Sequence, residues 1–497
     1  MSTLAYEQFL DDELPEGKNP LEGYLPGNND EVLSVTDNGI FARPGTEDLV
    51  QQLAGMSVGQ LHNLQLSLNA EIRRAGITFT VYNDGENIDR PWPLDAIPRI
   101  IAANEWQGIE KGLIQRLKAL NCFIADLYDQ QQIVRDGIVP QQLVETSSNF
   151  CTPCVGIKPV FNTWAHISGT DLVRDTSGTY RVLEDNLRVP SGVSYLLENR
   201  RIMKRIAPEF FADGKVQPVD HYTEDLKTML QSLSPNDTAN IAVLTPGIYN
   251  SAYFEHAYLS REMGALLVEG RDLIVSDRDG FVYADTIDGP TRIDVIYRRV
   301  DDRFLDPECF NPHSHVGVPG LMRAWGDGKV GMANAPGTGV ADDKVIYSYV
   351  PDMISYYLNE SPLIPNVDTY RCSDDHSLAF VLDHMQDLVI KPANESGGNG
   401  MLMGPDSTVE QRKRFYKLIN DRPRNYIAQP IVQLSTCPSV TGTGLAARHV
   451  DLRPYVLQAE KSSVTTGGLT RVALQDGSLI VNSSQGGGSK DTWVVTC

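Results

Sequence analysis

A chain of 497 residues is longer than one hydrophobic core ordinarily supports, so roughly two to four packed units are expected, and 41% hydrophobic with 22% charged residues is far from a disordered composition. With 43 basic against 64 acidic residues the formal net charge is −21, which disfavours nucleic acid and anionic lipid as partners and leaves small anions to local Lys and Arg clusters. Seven scattered cysteines, odd in number, do not make a disulfide framework and fit a reducing cytoplasm.

The segment through about Pro44 is acidic and rich in Gly, Pro and Asn, and reads as an irregular, partly mobile surface arm. It lacks an export signal, and no later run approaches the ~20 apolar residues of a membrane span. Residues 47–75 turn helical, and ITFTVY is a short strand pattern bounded by the turn NDGEN. Between Glu105 and Tyr128, apolar side chains at Trp106, Ile109, Leu113, Leu117, Leu120, Ile124 and Leu127 step by three and four, an amphipathic helix that packs on its own core. CTPC at Cys151 to Cys154 has no second Cys or His pair at zinc-ligand spacing and reads as packed thiols.

Residues 160–186 hold two β-rich runs, FNTWAHISGTDLVRD and TYRVLEDN, parted by the turn TSG. Side chains alternate along a strand, so Glu184 and Asn186 share a face while Asp185 points the other way. If Asp171 on the first arm faces them, three oxygen donors converge, a set that suits magnesium completed by waters and nucleotide phosphates; a solvated charged hairpin explains the spacing equally well. NIAVLTPG, SAYFEHAYLSREMG and ALLVEGRDLIV then follow as strand, helix and strand, a βαβ unit whose TPGIYNSAYFE loop lies at a strand's carboxyl end. Asn250 and Glu255 there are candidate substrate contacts, as is Arg298, which with Arg299 either binds a carboxylate or pairs with Asp301 and Asp302.

Beyond Gly331 the texture changes to NAPGTGVADDK, which carries Lys344. In VIKPANESGGNGM, Lys391 ends an apolar run, and the backbone amides of Gly397, Gly398 and Gly400 can close over phosphate oxygens. YIAQPIV offers a strand edge for an adenine, with Gln429 beside it. Arg453 in HVDLRPYVL and Arg471 in GGLTRVAL suit forked contacts with carboxylate or phosphate. NSSQGGGSKD, with Asn482, Gln485 and Lys490, reads as a ligand-closing loop.

The runs RVLEDNLRVPSGVSYLLENRR, LTPGIYNSAYFEHAYL, VIYRRVDD, NAPGTGVADDK and SSQGGGSKDTWV resemble the circularly permuted ATP-grasp family, of the kind related to glutathionylspermidine synthetase, over nearly all of the chain from about residue 70. The resemblance implies a mixed α+β and α/β fold with an inserted βαβ domain and an N-terminal helical region. It divides the chain into an arm and helical cap (1–75), a metal-binding lobe (76–215), a βαβ substrate-side domain (216–330) and a lysine and glycine-loop lobe whose last strands return to the core (331–497). It further implies that Asp171, Glu184 and Asn186 hold magnesium, two ions in the family's manner, that Lys344 and Lys391 contact nucleotide phosphates under the loop Gly397–Gly400, that Gln429 borders the adenine and that Arg453 meets phosphate or intermediate. The relative's arginine just before its first metal aspartate has no counterpart in HISGTD, which offers His166 instead, so Arg188, Arg200 or Arg453 is expected in its place.

The implied reaction is ATP-dependent joining of a carboxylate, small-molecule or peptide, to an amine through an acyl phosphate. His166 and His256 are the candidates for a general base. The alternatives are a non-catalytic or partner-dependent ATP-binding subunit, for which the family's neighbouring genes imply companion proteins, and a phosphotransferase with a stable phosphorylated product.

Overall fold

The stripe that steps from Trp106 to Leu127 sets where the main body forms. In the computed structural model, which describes residues 18–27, 29–83, 86–236, 238–393, 400–479, 481 and 487–496, these residues lie on one helix, Ala103–Leu127. All seven stripe side chains are buried, each contributing about 1.5–3 kcal/mol by leaving water. Their core is shared with Leu172 and Val182 of the acidic hairpin and with Ile346, Val350 and Ile354 beyond Lys344.

That helix leans on a nine-stranded sheet assembled from both ends of the chain. Its main path runs Ser462–Val464, Tyr455–Gln458, Ile167–Arg174, Gly444–Arg453, Leu469–Val472, Gly488–Val495, Leu94–Ala102. Tyr180–Asn186 pairs with Ile167–Arg174, and Thr436–Thr441 with Gly444–Arg453. The last strand runs parallel to Leu94–Ala102, with Lys490 opposite Asp95. The final strands of the chain thus complete the sheet that carries the acidic hairpin.

The expected βαβ unit is present: Ile241–Leu244, the helix Tyr253–Met263 and Leu266–Val268, the two strands parallel, in a four-stranded sheet continued by Val295–Arg298 and Gly331–Ala333. Gly264, in the left-handed conformation at φ +64°, ends the helix as its position in the sequence implies. A further antiparallel sheet of four short strands, Tyr370–Arg371, Tyr426–Pro430, Leu388–Pro392 and Leu402–Met403, has its own small core of Val381, Met385, Leu388, Ile390, Leu402 and Ile419, with the helices Asp375–Asp383 and Val409–Asp421 supplying part of it. This is the lobe that carries Lys391.

The described part of the N-terminal arm departs from expectation. Glu31 is buried and takes a two-pronged ion pair from Arg99 at 2.6 and 2.7 Å, and its backbone N–H donates to Thr436. A buried forked pair with its remaining lone pairs used pins the chain, so residues 29–33 are part of the body. Glycine-rich, acidic composition conceals this because it reports nothing about a partner 68 residues away. Residues 47–75 form two helices, Glu47–Ala54 and Val58–Ala75, the second opened by a capping box between Ser57 and Gln60.

Two short segments join the small lobe to the hairpin. Val182 exchanges backbone hydrogen bonds with Pro365 and Val367, and the backbone N–H of Lys344 donates to Ala393, just past the lysine strand. Arg424 of the small lobe holds Asp343 at 2.6 Å. No described helix is long and apolar enough to cross a membrane.

Candidate functional site

The hairpin Ile167–Arg174 and Tyr180–Asn186 brings its acidic residues into register: Asp171 lies opposite Glu184, and Gly169 opposite Asn186. Asp185 points to the other face, where Arg116 grips it through three hydrogen bonds of 2.6–3.0 Å. Alternation along the strand thus separates the Asp185 carboxylate from Glu184 and its cross-strand neighbour Asp171 on the opposite face. Asn186 donates from its amide nitrogen to Gly169 O at 3.1 Å, which leaves its side-chain oxygen as an acceptor.

Cationic groups from distant parts of the chain meet this face. Lys344 Nζ lies 3.3 Å from Glu184 Oε2, and Arg453 Nη2 lies 4.0 Å from Glu184 Oε1. Arg453 also forks onto Asp171, at 2.5 and 2.8 Å. Lys391 Nζ donates to Gln429 Oε1 at 2.7 Å, and Gln429 in turn donates to Thr369 at 3.0 Å. Burial pushes the Lys391 ammonium down to about 8; Lys344 adds to the shift, while the carboxylates of Glu184 and Asp171 oppose it. Lys391 thus lies within electrostatic range of Lys344, Glu184 and Asp171.

Burial alone would raise the Asp171 carboxyl, but the guanidiniums of Arg453 and Arg471 outweigh that effect and hold it below the usual carboxylate range. Sequence reasoning singled out Arg471 without placing it, and it missed Asp451. Asp451 and Arg453 sit two apart on the strand Gly444–Arg453, hence on one face, and Arg471 is the direct cross-strand partner of Asp451. The period-two spacing in VDLR was the available signal.

Magnesium fits the donor chemistry of Glu184 and Asn186, oxygen-only and with one carboxylate; Asp171 beside them is engaged by Arg453 and Arg471. Among the described residues no cluster of three or more His, Cys, Asp or Glu side chains could hold a metal ion. Of the glycine loop, Gly397 and Gly398 lie outside the described residues, and Gly400 stands at its far end, as an exposed turn residue. Gln485, with Asn482, also lies outside them.

Arg188 is forked between Asp342 at 2.6 Å and Asp301 at 2.8 Å. Asp342 leads directly into Asp343 and Lys344. Arg200 is buried elsewhere, on Asp491 and two backbone carbonyls, and cannot take the part of the missing arginine. Arg453 is the arginine that reaches Asp171 and Glu184.

Several expected substrate contacts are corrected. Arg298 is fully buried, where it binds the carbonyls of Asn334, Val300 and Ala335 and pairs with Asp302. Glu255 is also buried, accepting from the backbone of Gly192 and Ser194, from the Ser194 hydroxyl and from Arg299. Lys490 is a sheet residue whose ammonium is spent on Asp95 at 2.7 Å and on two carbonyls. Each charge is paired away from solvent, so none can meet a ligand. Asn250 accepts from Ala252 N within its turn, beside the exposed Ile248 and Tyr249.

The two histidines are corrected as well. Burial lowers His166 to about 3, and burial with Arg299 lowers His256, which is hydrogen-bonded to Thr245 at 2.8 Å. Both are enclosed and neutral. The strand Tyr426–Pro430 is interior to its sheet: Ile427 and Ala428 are paired on both sides, by Arg371 and Tyr370 and by Lys391 and Ile390, so that stretch offers no edge to an adenine. Cys151 and Cys154 are buried free thiols, the latter donating to Pro336 O.

NAPGTG ties the cleft to the body. The Asn334 side chain accepts from the backbones of His166 and Ile167 and donates to the carbonyls of Ile167 and Leu187, so it clamps both arms of the hairpin's base. Gly337 sits at φ +93° with its Cα against Tyr128; a Cβ there would come within 2.7–2.9 Å of the ring and hydroxyl.

The circularly permuted ATP-grasp type 2 family matches residues 98–473 of the chain. An uncharacterized protein of Synechocystis sp. is 53% identical, over 96% of this chain and 98% of that protein. A protein of Mycobacterium tuberculosis is 45% identical, over 96% and 87%. A putative glutamate–cysteine ligase of Frankia casuarinae is 40% identical over 95% of this chain, which spans 54% of that protein. Among solved structures, a glutathione synthetase-like effector of Globodera pallida superposes with a TM-score of 0.57 at 12% identity, over 88% of this chain and 98% of that one, a likeness of fold alone.

Proposed function

The chain belongs to the circularly permuted ATP-grasp type 2 family, and from that premise we propose that it is an ATP-dependent carboxylate–amine ligase acting through an acyl phosphate. The observation that carries the reading is the gathering of Lys344 and Arg453 on Glu184 and Asp171, with Lys391 of the small lobe within electrostatic range of both carboxylates. A carboxylate oxygen of the acid substrate attacks the γ-phosphorus of ATP, the bond to the β-γ bridging oxygen breaks, and ADP leaves. The amine then attacks the acyl carbon, inorganic phosphate leaves, and the amine's proton passes to water or phosphate.

The chain's own part is positioning and neutralisation, the main contributions to phosphoryl transfer. Lys391, braced by Gln429, and Lys344, braced by Glu184, hold phosphate charge from the small lobe and from the body. Arg453 faces the same point from the nine-stranded sheet. Glu184 and Asn186 would hold magnesium, which supplies charge neutralisation between the phosphates. Arg188 stands where it can orient the acid or the departing phosphate.

The ligase name of the Frankia relative supports the reaction class; with the chain matching about half of that protein, it does not carry its substrates over. The test is ADP release in the presence of pooled carboxylic acids, peptides, amino acids and polyamines. Release that needs both an acid and an amine, and that is lost in Glu184→Gln, supports the ligase. Release without any amine identifies a phosphotransferase, and nucleotide binding without turnover in every pool identifies a binding subunit that works beside a partner.

A further inference from the structure

Asp171 is held by two arginines at once. Its Oδ1 accepts from Arg453 Nε at 2.5 Å; its Oδ2 accepts from Arg453 Nη2 at 2.8 Å and from Arg471 Nη2 at 2.7 Å. Both oxygens are occupied, and the carboxylate is buried. Three of the carboxylate's roughly four lone-pair sites are taken, and a divalent cation bound at the remaining one would lie against the Arg453 guanidinium, so that pair must loosen before the cation can settle.

The two arginines differ in what else they hold. Arg471 forks onto Asp451, its cross-strand neighbour, through Nε at 2.9 and 3.1 Å and through Nη2. It stays paired whether or not Asp171 is present. Arg453 has weaker alternatives, Ser191 O at 3.3 Å and Glu184 Oε1 at 4.0 Å. Of the two, Arg453 is the one that an arriving anion can take.

The local charge points the same way. Lys344, Lys391, Arg453 and Arg471 gather around Asp171, Glu184 and Asp451, so an arriving polyphosphate meets cations already assembled there.

We infer that Arg453 is an exchangeable mask on Asp171. A nucleoside polyphosphate entering the cleft draws Arg453 onto its own oxygens, and only then is Asp171 open to a divalent cation. Arg471, anchored by Asp451, is a positioning residue that keeps the freed carboxylate aimed into the cleft. The inference rests on the cleft being the nucleotide site proposed above, but not on the identity of the acceptor or on catalysis.

The experiment follows manganese uptake by the full chain, from the loss of the free-ion electron paramagnetic resonance signal. Without nucleotide, wild type takes up no manganese at this site, whereas Arg453→Gln gains one site, and adding Asp171→Asn to that variant removes it. In excess chelator, wild type still binds a non-hydrolysable ATP analogue, because its lysines and Arg453 meet the phosphates without metal. Arg471→Lys keeps that chelator-stage affinity but loses about tenfold in manganese affinity of the nucleotide complex, the usual cost of disturbing a residue that orients a ligand. Stability loss alone would not split these two readouts.

Uptake by wild type without nucleotide that Asp171→Asn abolishes overturns the mask, as does a folded Arg453→Gln that gains no site. If Arg453→Gln does not fold, the wild-type measurements still decide. A protein that binds no analogue under any condition refutes the nucleotide reading instead, and the manganese comparison separates that failure from failure of the mask.

Discussion

Lys391 titrates within reach of solution experiments, because burial and Lys344 bring its ammonium down to about 8. In the nucleotide-free protein roughly half of Lys391 is charged at pH 8 and about a tenth at pH 9. A polyphosphate binds the charged form, so affinity is full below pH 8 and falls by about tenfold per pH unit above it, or ~1.4 kcal/mol per unit. Binding at pH 8 to 8.5 should also take up about half a proton or more, since the phosphates draw Lys391 back to its charged state. Calorimetry with an ATP analogue from pH 7.5 to 9.5, where the phosphates stay fully ionised, reads both quantities when repeated in buffers of different ionisation enthalpy. Lys391→Arg keeps its charge across this range and should show a flat profile. A wild-type affinity that does not change from pH 7.5 to 9.5, with no proton uptake, would refute the placement of Lys391 against the phosphates.

Glu184→Gln keeps the shape of the hairpin but removes the charge that faces Lys344, and steady-state ADP release should fall by about 10² or more with little change in melting temperature. Arg116→Ala leaves Asp185 buried without its fork; urea unfolding should show a loss of about 3–5 kcal/mol. Arg298→Met strips the cation from the carbonyls of Asn334, Val300 and Ala335, and its expected effect is a lower unfolding midpoint with the acid substrate's KM unchanged in the protein that remains folded. Gly337→Ala drives a methyl group into Tyr128 at a positive φ and should destabilise by about 1–3 kcal/mol, read as a drop in Tm.

Much of the fold was legible because periodicity survives into structure. Steps of three and four gave the long helix, and alternation in VLEDN separated Glu184 and Asn186 from Asp185 before any partner was known. What stayed hidden depends on sheet order. Asp171 meets Arg453 and Arg471 across separations of 282 and 300 residues, through strands that are neighbours only because the last strands return to the hairpin's sheet. NSSQGGGSKD reads as a loop by composition, yet Gly488–Val495 is a buried strand, since pairing with Leu94–Ala102 outweighs the weak strand preference of glycine and serine.

Charge was visible in the sequence, and burial was not. Arg298, Glu255 and Lys490 have the chemistry of substrate contacts, but neighbouring carbonyls, amides and opposite charges absorb each of them. Arg453 and Lys391 differ in lying beside Glu184 and Asp171. Ile427 and Ala428 are covered by Tyr370–Arg371, a strand too brief to read from the sequence, whereas Gln429 and Pro430, among the described residues, pair only with Val389 and Leu388.

The proposed activity requires one triphosphate to bridge the small lobe and the hairpin. A crystal structure with magnesium and a non-hydrolysable ATP analogue tests this most directly. The expected density places the phosphates between Lys344 and Lys391 on one side and Glu184 on the other, with Arg453 turned from Asp171 toward them. Phosphates bound elsewhere, or a cleft that stays closed by the Arg453–Asp171 pair while the analogue binds, would contradict it.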